Sequence, residues 1–340
     1  MSAAAGTPRP SGSAGRARAW AELLRLPALF TVPGDALAGA AATATAPNSR
    51  TLLAIGSSLC LYEAGMALND WADRAEDAAE RPHRPLPSGR VHPAAALTTA
   101  CVLTGAGLAL AARAGRPALA IAAPLAATVW AYDLTLKHTP AGPVAMATAR
   151  GLDLLLGAAA TTGRPGRALG HAALLGAHTL AVTAVSRRET TGGAPLAPLA
   201  ALAATGVLTR LVTGRPSRPP AGRREAATRG LPGTTYAPDG AVSRPRAASD
   251  TPARTPAEAT ATALRPALAA AYLATAARPY LHATLNPSPP LTQRAVAGGI
   301  RATIPLQAAL TARSGAGLTA LLVAALAPLG RRFARTVSVT

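Results

Sequence analysis

Long apolar blocks are the feature that most restricts how this chain can fold. Stretches rich in Ala and Leu, each about twenty residues long, recur along most of the 340 residues. Apolar residues make up 49% of the sequence and charged residues only 14%. This composition is unlike that of a soluble domain, whereas a helix that crosses a bilayer needs about twenty consecutive apolar residues. The sequence therefore predicts an all-α, polytopic membrane protein.

The apolar blocks predict a bundle of about nine transmembrane helices. A tenth helix is the alternative, because the last block either forms one long span or breaks near 313–315 into two short helices. The predicted spans are 19–46, 50–69, 92–113, 116–133, 140–161, 168–186, 194–213, 259–277 and 292–330.

Two polar segments divide the chain. Residues 1–18 are rich in Ser, Gly and Arg and are predicted to form a disordered cytoplasmic tail, and 214–258 is predicted to be a disordered insert rich in Arg, Pro and Gly. The first seven helices then occupy 19–213, with a polar loop at 69–90. The remaining helices and a basic C-terminal tail occupy 259–340.

The basic charge is distributed as in a membrane protein. The net charge is +19, but the arginines lie between apolar blocks and in the insert rather than on one basic face, which argues against nucleic acid as a partner and leaves the lipid bilayer. Arg and Lys next to the early spans place the N-terminus and the loops after spans 2, 4 and 6 in the cytoplasm. We expect an integral protein of a bacterial plasma membrane whose functional loops face the cytoplasm.

Acidic residues are scarce, yet six of the 15 fall in one short window that begins at Glu63. Asp70, Asp73 and Asp77 are three and seven residues apart, so a helix would present them on one face. Together with Asn69 they suit Mg²⁺, which prefers oxygen ligands and is often held by one or two carboxylates and substrate phosphates. A loop whose charges only keep it in water is the alternative. Glu63 argues against it, because an ionisable group inside an apolar span costs several kcal/mol.

Arginines follow the acidic window in the segment Arg81-Pro-His-Arg84-Pro. The planar guanidinium group matches the geometry of phosphate oxygens. Proline fixes its own backbone angle and restricts the residue before it, so this segment is stiff. Carboxylates and arginines in one loop indicate a metal-bridged diphosphate.

The fifth predicted span carries Arg150 and Asp153. An offset of three residues allows them to pair on one helical face, and at membrane depth such groups should face a cavity or the bundle interior. A structural ion pair and a contact with the polar head of a substrate are both compatible with this pattern.

The motif Asn69-Asp-X-X-Asp-X-X-X-Asp77, followed by Arg-Pro-X-Arg-Pro-Leu-Pro-Ser-Gly, resembles the first aspartate-rich motif of the UbiA superfamily of intramembrane prenyltransferases. The stretch 24–35 is similar to the first helix of that family. The resemblance implies a bundle of nine helices around a cavity that opens towards the membrane. It also implies that Mg²⁺ ionises a polyprenyl diphosphate, whose prenyl group passes to an acceptor that is often aromatic.

The resemblance assigns roles to individual residues. Asp70, Asp73 and Lys137 are the candidate catalytic residues, although Lys137 follows Tyr132 with one residue more than in the familiar form of the family motif. The candidate metal ligands are Asn69, Asp70, Asp73, Asp77 and Glu189. The candidate substrate-binding residues are Arg81, Arg84, Tyr132, Arg150, Asp153, Arg187 and Arg188; the last two also suit cytoplasmic anchors.

The chain departs from the family pattern after the sixth span. The family places a second aspartate-rich motif there, whereas this chain reads Ser-Arg-Arg-Glu-Thr-Thr over 186–191, so Glu189 is the one carboxylate. Three readings stay open: one Mg²⁺ suffices, Glu189 acts with Asp133 or Asp153, or transferase activity has been lost.

The predicted function is therefore transfer of a prenyl group from a polyprenyl diphosphate to a small acceptor, aromatic or lipid-like, with Mg²⁺-assisted loss of diphosphate. The alternatives are a terpene cyclase of the same fold, a catalytically impaired homologue, and a transporter.

Overall fold

The computed structural model describes residues 12–189, 193–214 and 256–338, and within these ranges every regular element is helical. This confirms the predicted all-α class. The α-helices are α1 Ser13–Leu23, α2 Val32–Ala42, α3 Ser49–Ala72, α4 Arg74–Glu80, α5 Pro93–Ala114, α6 Arg116–Ala131, α7 Gly142–Thr162, α8 Leu169–Ser186, α9 Leu196–Thr213, α10 Pro256–Leu285, α11 Pro289–Arg313 and α12 Gly317–Ser338.

Local sequence explains where the central helices begin and end. The Asn48 side chain accepts hydrogen bonds from the backbone N–H groups of Arg50 and Thr51, which otherwise lack partners at the start of α3. Gly115 separates α5 from α6 at a φ of 134°, a backbone angle that residues with a Cβ rarely adopt.

The first predicted span, 19–46, is not one helix. Arg25 has a left-handed φ of 48°, and Pro27 and Pro33 each lie in the first turn of a new helical segment, so the region divides into α1, a short 3₁₀ helix Leu26–Thr31 and α2. Helix α1 also begins at Ser13, inside the stretch predicted to be a disordered tail. Its last turns are ordered because Ala19 and Leu23 are buried against the helix pair α3 and α5.

The predicted count of nine spans is not exact. Six helices of the described ranges are long and apolar enough to cross a membrane: 49–72, 93–114, 116–136, 142–162, 165–186 and 196–213. The last apolar region holds two helices, α11 and α12, because Gly315 at a φ of 85° interrupts the chain between them. The insert predicted at 214–258 lies outside the described residues apart from its ends.

Two hydrophobic cores share helix α7. One core joins α7 to α8, α9, α10 and α11, and the other joins it to α2, α3, α5 and α6. Leu154 belongs to the first core and Leu156 to the second. Helix α7 therefore presents different faces to the two halves of the bundle.

Helices α2 and α7 touch backbone to backbone. A Cβ on Gly39 would lie 2.0 Å from the Leu154 carbonyl oxygen, and a Cβ on Gly157 would lie 2.4 Å from the Cα of Ala36. Glycine is required at both positions for this approach, which is typical of helix packing in membranes. The contact brings the polar residues of α2 next to those of α7.

Candidate active site

One cavity of about 560 Å³ lies between α3, α6 and α7 and is also lined by the loop after α4 and by the end of α8. Three of the predicted site residues do not line it. Asp70 and Asp77 are buried outside the cavity lining, and Arg188 is exposed after the end of α8. The predicted site residues that line the cavity are Asn69, Asp73, Arg81, Arg84, Tyr132, Lys137, Arg150, Asp153, Arg187 and Glu189.

The cavity has two polar ends. We call the end at the polar loops the mouth, which comprises Arg25, Asn69, Asp73, Arg81, Arg84, Asp133, Lys137, Arg187 and Glu189. We call the opposite end the floor, which comprises Ser58, Arg150 and Asp153.

Asp73 occupies the junction of α3 and α4 at the mouth. Helix α3 ends one residue earlier, so Asp73 turns towards the cavity while Asp70 and Asp77 do not. The Lys137 ammonium group donates to Asp73 Oδ1, and His138 Nε2 lies 4.0 Å from the same oxygen. The three carboxylates are therefore not equivalent, contrary to the single helical face expected from their spacing.

Arginines hold the other two carboxylates of the motif. Arg84 Nη1 lies 2.7 Å from Asp77 Oδ2 and 3.8 Å from Asp70 Oδ1, and Arg81 Nη1 lies 3.5 Å from Asp77 Oδ1. Arg25 Nη2 donates to Asp70 Oδ1 at 3.1 Å. Asp70 and Asp77 thus fix three guanidinium groups that line the mouth.

Asp133 is a further acid of the mouth. It lies in a single π-helical turn, Tyr132–Leu136, that follows α6, and it accepts a hydrogen bond of 3.1 Å from the Asn69 amide. Single π-helical turns are frequent at functional sites. The turn carries Tyr132 and Asp133 and delivers Lys137 directly after it, all three of which line the cavity.

Residues of the segment after α8 also line the mouth. Arg187 donates to the Thr139 carbonyl oxygen, and Glu189 lines the cavity beside it. Burial raises the pKa of the Glu189 carboxyl above its ordinary value of 4.5, while the nearby charge of Arg81 acts in the opposite direction. Glu189 therefore faces the arginines of the first motif.

The floor is built from four helices. Arg150 Nε lies 3.0 Å from Asp35 Oδ2 on α2, so Arg150 pairs with Asp35 rather than with Asp153 as the sequence suggested. The backbone contact between α2 and α7 makes this possible. Asp153 instead accepts a hydrogen bond from Ser58 on α3. Gln307 on α11 donates to Asp35 Oδ1 at 2.6 Å.

Sequence reasoning assigned no role to four residues of the site: Arg25, Ser58, Asp35 and Gln307. One signal was available for Asp35, because an acid inside an apolar stretch is a functional candidate by default. The partners of Arg25 and Gln307 lie far away in the sequence, and no local pattern marks them. Glu63, which the sequence singled out, is buried, and its carboxylate has no hydrogen-bond partner among the described residues.

The donor atoms of the mouth fit a hard divalent cation. Oxygen atoms come from Asn69, Asp73, Asp133 and Glu189, and oxygen is the ligand atom that Mg²⁺ prefers. Ligand atoms of Asp73, Glu76 and His138 also lie within 4.8 Å of one another, but the last two residues are exposed. Asp73 is common to this cluster and to the oxygen set of the cavity.

The bundle of apolar helices around a polar, cation-rich cavity defines an integral membrane protein with an intramembrane site. The model of a family described as the UbiA prenyltransferase family matches residues 28–191, which include all the mouth residues except Arg25. This match to the UbiA prenyltransferase family is the resemblance that the aspartate-rich motif predicted.

Three relatives are named digeranylgeranylglyceryl phosphate synthase. That of Methanopyrus kandleri is 36% identical over 148 residues, which cover 42% of this chain and 53% of the relative. That of Methanothrix thermoacetophila is 36% identical over 112 residues, covering 33% of this chain and 42% of the relative. That of Ignicoccus hospitalis is 33% identical over 150 residues, covering 44% and 49%. The chain thus spans about half the length of the curated relatives it matches.

Two solved structures share the fold. One is described as "Structural and mechanistic insights into the biosynthesis of Digeranylgeranylglyceryl phosphate synthase in membranes"; it has a TM-score of 0.54 at 16% identity and covers 89% of this chain and 99% of that chain. The other is the apo structure of a UbiA homolog from Aeropyrum pernix K1, with a TM-score of 0.50 at 18% identity, covering 80% and 96%. They confirm the UbiA-like helical bundle.

Proposed function

We propose that this protein is a prenyltransferase that moves a prenyl group from a polyprenyl diphosphate to an acceptor, with loss of diphosphate assisted by Mg²⁺. The observation that carries the proposal is the convergence of cationic side chains at the mouth. Lys137 and four arginines reach it from four segments of the chain: Arg25, Arg81, Arg84 and Arg187.

Each group of the mouth has a role in this reaction. Arg81 and Arg84 bind the diphosphate oxygens, which carry more negative charge than the carboxylates they contact in the described structure. Lys137 and Arg187 stabilise the charge that develops on the leaving diphosphate. Asn69, Asp73, Asp133 and Glu189 would hold Mg²⁺, with Asp70 and Asp77 orienting the arginines behind them. When bound, the metal ion neutralises part of the diphosphate charge.

The apolar middle of the cavity suits the prenyl chain. Leu61, Met66, Leu125, Val129 and Met146 line it between the mouth and the floor. These side chains exclude water from the carbon that loses diphosphate, so that the acceptor rather than water captures it.

The acceptor in this proposal is lipid-like. The relatives named digeranylgeranylglyceryl phosphate synthase make a prenylated glyceryl phosphate the first acceptor to test. Arginines beside the early helices support a cytoplasmic mouth. The relatives are archaeal, so the bacterial plasma membrane stays a prediction from the sequence alone.

The test uses membranes that contain the full chain, incubated with labelled prenyl diphosphates of several lengths, with and without prenylated glyceryl phosphate. We expect Mg²⁺-dependent release of diphosphate and a product with added prenyl mass. Asp70→Ala and Asp73→Ala should abolish the release while the protein still inserts and purifies. Glu80→Ala is the matched control, since Glu80 is an exposed acid of the same loop.

The outcomes separate the proposal from its rivals. Unchanged turnover in both aspartate variants would overturn the transferase assignment. A cyclic hydrocarbon or alcohol formed without acceptor would identify a terpene cyclase. Uptake of substrate into vesicles without release of diphosphate would identify a transporter.

A further inference from the structure

The end of the bundle opposite the mouth carries its own group of basic side chains. Helix α8 ends at Ser186 beside the mouth, and His171 lies near its other end, about 22 Å away at 1.5 Å per residue. Arg265 on α10 and Arg313 on α11 lie at that same end. The function proposed for the mouth uses none of these three side chains.

The packing of α10 against α11 brings Arg265 and Arg313 to a similar level. The two helices are antiparallel neighbours, since only residues 286–288 connect them. Along its helix, Arg265 lies about 30 Å from this turn and Arg313 about 36 Å from it. The like charges of the two guanidinium groups act on each other, which is unfavourable at the end of an apolar bundle.

Both arginines occupy helix positions that face the interior. Arg265 lies four residues after Ala261 and four before Ala269, both of which are buried. Arg313 lies three residues after Leu310, which is fully buried. Residues three or four apart share one face of a helix. An arginine on such a face needs a partner, because an unpaired charge is costly away from water.

Neither guanidinium group has that partner among the described residues. Arg265 Nε and Arg313 Nη1 are buried, and no described residue accepts a hydrogen bond from either atom. The C-terminal dipole of α11 favours the charge of Arg313, but Arg265 lies within α10 and gains no such stabilisation. Two like charges with unused donors are suited to holding an anion between them.

His171 and Ser314 fix the turn from which Arg313 projects. His171 Nε2 lies 3.2 Å from the Leu310 carbonyl oxygen and 3.0 Å from Ser314 Oγ. A carbonyl oxygen only accepts hydrogen bonds, so His171 Nε2 is the donor. This bond joins the start of α8 to the last turn of α11.

We propose that Arg265 and Arg313 bind a phosphate group at the end of the bundle opposite the mouth, with His171 and Ser314 as positioning residues for Arg313. The planar guanidinium group matches the geometry of phosphate oxygens, and a phosphate monoester carries nearly two negative charges at neutral pH. The phosphate belongs to a phospholipid of the leaflet on that side or to a soluble ion. This site does not depend on the proposed prenyl transfer.

The experiment measures binding by the full-length protein in an uncharged detergent, with empty micelles as the blank. Dihexanoyl phosphatidic acid carries a phosphate on a short lipid, dihexanoylglycerol lacks only the phosphate, and sodium phosphate supplies the group without a lipid. Each probe is titrated by calorimetry into the unmodified protein, Arg265→Gln and Arg313→Gln. Arg164→Gln is the matched control, because Arg164 is an exposed arginine shortly before α8 at the same end. Arg84→Ala reports on binding of the probes at the mouth.

We expect phosphatidic acid to bind the unmodified protein at least about tenfold more tightly than dihexanoylglycerol, as charge-assisted hydrogen bonds provide. Arg265→Gln and Arg313→Gln should each weaken this binding about tenfold, whereas Arg164→Gln and Arg84→Ala should leave it in place. Sodium phosphate that binds as tightly as phosphatidic acid would identify a soluble ion as the ligand. Much weaker binding of sodium phosphate would identify a phospholipid.

Unfolding midpoints are recorded in parallel. Arg313→Lys keeps the charge but loses the planar fork, so it replaces a Gln variant that does not fold and should also weaken phosphatidic acid. Equal binding of the two lipids, with no binding of sodium phosphate, would overturn the inference. Phosphate binding that survives both Gln variants and is lost in Arg84→Ala would also overturn it, because the ligand would then lie at the mouth.

Discussion

The mouth and the floor contain similar charged groups in different settings. At the mouth, the arginine side chains that hold Asp70 are 41% and 24% exposed. At the floor, the Arg150 side chain is 16% exposed, and its partner Asp35, behind the floor, is fully buried. Pairs near water can exchange one partner for a ligand at little cost, whereas a buried pair must stay intact. The mouth is therefore suited to binding a charged ligand, whereas the side chains of the floor are suited to staying in fixed positions.

The largest expected effect tests the fixed character of the floor. Arg150→Leu leaves Asp35 buried without its counter-charge and should lower the free energy of unfolding by about 3 to 5 kcal/mol. Denaturant titration in mild detergent measures this change. The double variant Asp35→Leu with Arg150→Leu should recover most of the loss.

Arg164→Leu is the matched control, because Arg164 is an exposed arginine beyond the end of the same helix. If the double variant is as unstable as the single one, the ion pair does not account for the loss.

Arg84→Ala tests the mouth in the same way. Its loss removes a donor to the diphosphate and should lower the rate of diphosphate release about 100-fold. The loss of stability should be smaller than for Arg150→Leu, because Asp77 keeps Arg81 and Asp70 keeps Arg25 as counter-charges. Arg74→Ala is the control, since Arg74 belongs to the same loop but lies over the Trp71 ring, 4.5 Å from its centroid. Equal rates for the two variants would remove Arg84 from the proposed site.

A smaller effect connects the floor to its scaffold. Gly39→Ala places a methyl group against the Leu154 carbonyl oxygen and should lower the free energy of unfolding by about 1 to 3 kcal/mol. Gly206→Ala is the control, because nothing lies near a Cβ at that position and alanine favours the helix. Thermal unfolding distinguishes them, and equal midpoints would show that α2 and α7 can move apart freely.

The smallest effect concerns Glu189. Because its pKa is raised on folding, the folded state binds the proton more tightly than the unfolded state does. This contribution to stability is fully present below the ordinary pKa of 4.5 and is lost as the pH rises through the pKa of the folded state. In the unmodified protein, the midpoint of thermal unfolding should therefore fall slightly as the pH rises above 4.5. Glu189→Gln cannot titrate, so this fall should be smaller in the variant. A steeper fall in the variant would contradict this sign.

Residues close together in the sequence were predictable, and those that meet across the bundle were not. The spacing from Asn69 to Arg84 predicted the family match, and the apolar blocks predicted the membrane bundle. Lys137 meets Asp73 across 64 residues, and Gln307 meets Asp35 across 272. Such contacts depend on which helices pack together, and in one sequence nothing local encodes that choice. The sequence did not predict the break between α3 and α4 at Asp73. A change in helix direction at one residue does not alter the pattern of apolar residues on either side of it.

The close contact of α2 with α7 has a consequence for how the protein enters the membrane. Helix α2 has 11 residues, or about 16 Å, which is too short to span the hydrocarbon alone, and it carries Asp35. Its counter-charge, Arg150, is synthesised 115 residues later. We therefore expect α2 to enter the bilayer only together with α7. An apolar segment that is synthesised early would then be inserted late.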